Sequence, residues 1–137
     1  PLPVWTAETT RQFALGYQAT ACMANIYARA GFAVVIDQVI YPWDVREHLG
    51  SQFSEHTVYK VFLQPGVETA RKRNADRKNK NFDTHFLDEP IQAIHKSLSD
   101  AIHQDPDWVI INSSNLTLDQ TVEEILRQTR DKPTENL

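Results

Sequence analysis

Six of the chain's fourteen basic side chains fall in ten residues, RKRNADRKNK at 71–80, with one acid, Asp76, among them. The segment carries +5 while the rest of the chain carries −9. Cations at this density suit a visiting polyanion, and equally suit a helix face turned to water. Three further polar features follow apolar runs. Asp37 ends FAVVID, Gln64-Pro65-Gly66 follows KVFL, and Asn112-Ser113-Ser114-Asn115 follows WVII. In an open parallel sheet, ligands bind beyond the carboxyl ends of the strands, where such residues would lie. A carboxylate directly after four apolar strand residues can hold a hydrated Mg²⁺, and Asp37 reads equally as a turn or helix-cap residue.

Other chemistries find less to work with. The five histidines, His48, His56, His85, His95 and His103, show neither HExxH nor another zinc spacing, and no GxSxG elbow occurs. Cys22 is the only cysteine, which excludes an internal disulfide and a cysteine zinc cluster; within ATACMAN it reads as a small buried hydrophobe. A net charge of −4 argues against a general nucleic-acid coat. The basic segment has no aromatic residue within it, only Phe82 and Phe86 beyond its end, so base-stacking platforms for RNA are sparse.

The elements that must position these residues are legible from periodicity. Ala14, Tyr17, Ala21, Ala24 and Ala28 recur at helical spacing, with an N-cap region at Thr6 and a stop at Gly31. FAVVID (32–37) reads as a strand buried on both faces, because its apolar run is continuous. Pro42 introduces a short helix that Gly50 ends. A second strand is expected within HTVYKVFL at about 57–63, and Pro65-Gly66 turns the chain into a helix from about Val67 to Lys78. NFDTHF (81–86) is turn-like. Asp88-Glu89-Pro90 begins a helix with the stripe Ile91, Ile94, Leu98 and Ile102. WVIIN (108–112) is the third expected strand, and Leu118, Val122, Ile125 and Leu126 mark a last amphipathic helix. Apolar strands alternating with helices predict an α/β domain with a parallel sheet over 1–130, followed by a flexible tail at 131–137.

In this order the segments FAVVIDQV, PWDVREHL, TVYKVFLQPGVETARKRNADR and DWVIINSSNLTLDQTVEEIL resemble the latter part of small P-loop kinases. Chloramphenicol phosphotransferase-like ATP-binding proteins are the nearest in pattern, with gluconate and shikimate kinases more distant; the resemblance covers most of residues 5–126. It implies a three-layer P-loop NTPase-like fold, ATP and Mg²⁺ as cofactors, and a small-molecule hydroxyl as acceptor. It also implies an Arg-rich lid at about 71–87, in which Arg73 and Arg77 close over the transferring phosphate and Arg71 assists. At i,i+4 on the expected helix, Arg73 and Arg77 share a face. By the same resemblance Asp37 lies near the metal, although the second acid frequent in such kinases is Gln38 here. Ser113, Ser114 and Asn115 match the loop that wraps adenine, and Trp43, Asp44 and Arg46 lie where the acceptor pocket is shaped.

One motif of those kinases does not occur. With glycines only at 16, 31, 50 and 66, the 137 residues contain no GxxxxGK[ST] loop. The family pattern places that loop, with its strand and helix, before Pro1. The expectation is therefore the C-terminal part of a phosphotransferase that works with a preceding segment of the same protein. The alternatives are a form that has lost the loop, or a non-catalytic nucleotide- or phosphate-binding module. No apolar run approaches the ~20 residues of a membrane span and no signal-peptide pattern is visible, so the expected compartment is cytoplasmic.

Overall fold

The computed structural model describes residues 6–77 and 87–130, and the chain divides after Val58 into two compact units. In the first, α1 spans Ala7–Arg29. Thr6 caps it: its hydroxyl accepts the Thr9 N–H at 3.1 Å while the Thr9 hydroxyl accepts the Thr6 N–H at 3.4 Å. Two of the orphan donors at the helix start are thereby satisfied. The helix ends where expected, with Gly31 in the left-handed region at φ +89°. Tyr17, Ala21 and Ala24 form its buried stripe.

Pro42 occupies the first turn of α2 (Pro42–Asp44), which runs on as a π-helical turn, Val45–Leu49, and a 3₁₀ turn, Gly50–Gln52. The widened turn puts Val45, Leu49 and Phe53 into the core of this unit along with the α1 stripe. Cys22, expected to be buried, is exposed instead. It lies one residue, about 100° of helix rotation, beyond the buried Ala21.

The second unit is built on β1 (Lys60–Leu63) and β2 (Trp108–Ile111), paired in parallel with Lys60 opposite Trp108 and Leu63 opposite Ile111. Between them come α3 (Val67–Ala75) and α4 (Asp88–His103), and α5 (Leu118–Arg130) follows β2. Val109, Ile111, Leu98 and Ile102 are its buried apolar residues, Ile102 only 1% exposed. The α4 stripe is therefore real at Leu98 and Ile102, whereas Ile94 reaches solvent.

Three expectations need correction. β1 is shorter than 57–63, because its partner begins only at Trp108, after the Asp105–Pro106–Asp107 turn; Lys60 marks that start with a 2.9 Å ion pair to Asp107. α3 stops at Ala75 with Asp76 as its C-cap, so Arg77 lies past the helix and the shared Arg73/Arg77 helix face does not form. The strand expected at 32–37 is absent among the described residues: 32–40 is irregular and 32–39 is exposed, Val35 to 90%. Apolar content does not make a strand; backbone N–H and C=O groups need a neighbouring ladder, and the described sheet consists of β1 and β2 alone. The 81–86 turn, the C-terminal part of the lid, Lys78, Lys80, His85 and the 131–137 tail lie outside the described residues.

Two outcomes test this account. Ile102→Ala should destabilise the second unit by about 2–5 kcal/mol in denaturant unfolding, the range for a fully buried aliphatic truncation. On α5, hydrogen bonds from Arg127 and then Gln128 pull the Glu124 carboxyl from 4.5 down to about 2. A folded value below the unfolded one stabilises above pH ~4.5 and fades as pH falls through about 2. An NMR titration of Glu124 should show that low midpoint, and Arg127→Ala should move it most of the way back.

Candidate functional site

Parallel pairing sends the chain out of β1 and β2 at the same edge, so the turns after Leu63 and Ile111 emerge side by side. The Gln64 N–H donates to the Ile111 carbonyl at 2.8 Å, extending the ladder by one bond. The Gly66 N–H then donates to the Ser114 hydroxyl at 2.8 Å. That hydroxyl in turn donates to Asn112 Oδ1 at 2.6 Å, and Asn112 Oδ1 also accepts the Ser114 N–H at 3.0 Å. Ser114 thus fastens the head of α3 to the loop after β2. Gly66, as N-cap, offers α3 no side-chain cap, and the helix start combines amide donors with the positive end of the helix dipole.

Arg73 reaches back from the last turn of α3 to the same loop. Its Nη2 donates to the Ser113 carbonyl at 2.7 Å and its Nη1 to the Ser113 hydroxyl at 3.5 Å. Ser113 is itself buried. A guanidinium carries five N–H donors, so a strut of this kind keeps capacity for an anion.

α4 closes the site from a third side, and this the sequence reading missed. His95 donates its Nε2–H to the Pro65 carbonyl at 2.8 Å, and one turn along Ser99 accepts the Gln64 side-chain amide at 2.9 Å. The i,i+4 spacing of His95 and Ser99 was visible in the sequence, but only the fold shows that both face the turn after β1.

The structure therefore joins Arg73 to Ser113 and Ser114 to Gly66. Asn115 is exposed in the same loop. Arg71 turns elsewhere, toward Asp88 at the head of α4 (3.4 Å) and Glu68 (3.3 Å). Asp88's hydrogen bond and charge, then those of Glu68, hold its guanidinium above the ordinary value. Arg77 is exposed, with its N–H donating to the Asn74 carbonyl.

The remaining candidates belong to the first unit. Asp37 is exposed on the irregular 32–40 segment. Trp43 stacks on Tyr41 with ring centres 4.4 Å apart, and Asp44 Oδ2 accepts the Tyr41 N–H at the start of α2. Arg46 is exposed on the π turn. Among the described residues no three of His, Cys, Asp and Glu gather to hold a metal ion.

Comparison of the chain with family models, curated proteins and solved structures finds no match in any of the three.

Ser114→Ala should cost about 1–2 kcal/mol by removing one acceptor and one donor together. Hydrogen exchange should localise the effect. The Gly66 amide should exchange faster, while the Gln64 amide, held by Ile111, keeps its protection.

Proposed function

We propose that the carboxyl edge of β1 and β2 binds the phosphates of a nucleotide, ATP in the kinase reading. In that reading it forms part of a phosphotransferase of the P-loop NTPase fold that acts on a small-molecule hydroxyl. The observation that carries the reading is Arg73 anchored on Ser113, beside a helix start whose own N-cap residue, Gly66, supplies no capping side chain. A fixed guanidinium and backbone amides are the donor set that phosphoryl oxygens recognise. Arg77 adds charge from just past α3, and Ser113, Ser114 and Asn115 offer backbone groups to a base edge. Glu68 in the first turn of α3 opposes an incoming anion, and its pairing with Arg71 offsets part of that opposition.

Phosphoryl transfer also needs a cradle for the β- and γ-phosphates, supplied in P-loop enzymes by GxxxxGK[ST]. These 137 residues contain no such loop. That fact favours a second reading for the chain by itself, a nucleotide- or phosphate-binding module without turnover.

Calorimetric titration of the chain with ATP and with tripolyphosphate should show salt-sensitive binding and no release of phosphate. Arg73→Lys and Arg77→Ala should each weaken it about tenfold or more, because an ammonium cannot reproduce the fork and a lost charge-assisted bond is worth roughly 1.5–3 kcal/mol. The triple change Lys72→Ala, Lys78→Ala, Lys80→Ala should matter far less. Equal damage from the lysine change would mark a general anion surface, and turnover of ATP by the chain would overturn the module reading.

A further inference from the structure

Three polar groups of the first unit meet with hydrogen-bonding capacity unfilled. Tyr17, on the buried stripe of α1, is only 4% exposed and stacks on His48, ring centres 5.3 Å apart and planes at 22°. His48 stands on the π turn, four residues beyond Asp44, the last residue of α2. Burial first, then the Asp44 charge, raise the pKa of the Tyr17 hydroxyl above its ordinary value, so it keeps its proton at neutral pH. Among the described residues that hydroxyl makes no hydrogen bond, nor do the ring nitrogens of His48. The Asp44 carboxylate takes one, the Tyr41 N–H at 3.4 Å. The Tyr17 oxygen is nevertheless not sealed off from solvent.

Packing alone does not call for these residue types. Phe at 17 and Leu at 48 would fill similar space, and buried polar groups in folded proteins generally find partners. What the three lack is one group that both accepts and donates. A ligand hydroxyl accepts the Tyr17 proton and gives its own to Asp44, and a second hydroxyl on the adjacent carbon suits the His48 nitrogens. An anion would be repelled by Asp44, and an ammonium has nothing to accept the Tyr17 proton. Next to Asp44, Trp43 is 50% exposed and stacks on Tyr41, ring centres 4.4 Å apart. Its outer face is a rigid apolar platform that can pack against the C–H face of a saturated ring. Aromatic walls with a few placed polar groups are what small-molecule sites use.

We infer that Tyr17, Asp44 and His48, with Trp43 beside Asp44, bind a sugar or cyclic polyol through its hydroxyl groups. This role rests on the proposed function for one point, that the ligand is a small-molecule hydroxyl compound. The site adds Tyr17 and His48 to Trp43 and Asp44 and needs nothing from Arg46. Its parts differ in weight. Asp44 contributes a charged acceptor, Tyr17 a neutral donor, and Trp43 an apolar surface.

Ligand-observed NMR of the unchanged chain with glucose, ribose and myo-inositol at roughly 0.1 to 100 mM, without ATP, should show saturable binding of at least one. Tyr17→Phe should weaken it about three- to tenfold, the worth of one neutral hydrogen bond, and Asp44→Asn about tenfold or more. Because the Tyr17 hydroxyl bonds to no described residue, Tyr17→Phe should leave the thermal midpoint and the helical signal unchanged. Tripolyphosphate should bind both variants as it binds the unchanged chain, and Arg73→Lys should leave sugar binding alone. This site and the sheet-edge site can therefore fail separately. No saturable binding of any of the three compounds overturns the inference. So does binding that survives both Tyr17→Phe and Asp44→Asn, or spermidine that binds in their place and is lost with Asp44→Asn.

Discussion

Four residues of parallel ladder hold the second unit to its arrangement. Lys60–Leu63 and Trp108–Ile111 are 48 positions apart in sequence, and their pairing closes a loop that contains both α3 and α4. Parallel direction has one consequence for chemistry. Both strands leave at the same edge, so two polar turns far apart in sequence become neighbours. The hydrogen bonds that cross between the two turns, from Gly66 to Ser114 and from Arg73 to Ser113, presuppose that register. A two-residue slip would carry Ser114 about 6–7 Å away from Gly66.

The same constraint explains what happens to the most apolar run in the chain. FAVVID has the composition of an interior strand, yet in the structure it lies irregular, with Phe32 and Val35 both more than 60% exposed. Burial of side chains and pairing of the backbone are separate requirements, and a strand needs both. β1 and β2 meet both, through the ladder and through Leu98 and Ile102. Residues 32–40 meet neither.

The arginines of the basic segment divide by geometry rather than by charge. Arg71 is drawn to acids on α3 and α4, Arg73 to a carbonyl at the sheet edge, and Arg77 lies beyond the helix end. A guanidinium bonded to carboxylates is largely neutralised as an anion receptor, whereas one bonded to a carbonyl keeps its full charge for another partner. That distinction singles out Arg73, and a sequence pattern could not have drawn it between Arg71 and Arg73.

Local signals were enough for most of the helices. The Thr6 cap, the Gly31 stop, Pro42 at a helix start and the Leu98–Ile102 stripe all act within a few residues of themselves, so their outcome was written in order along the chain. The alternation of apolar runs with helical segments likewise announced an α/β chain with parallel strands. Which runs become strands was another matter, because a ladder joins residues that sequence order keeps apart, and FAVVID and KVFL look alike until one finds a partner. The tether of Pro65 by His95, and the exposure of Cys22 one step around from Ala21, were equally hidden. Residue type and spacing set which way a helix can turn its faces; only the packed fold decided what each face meets.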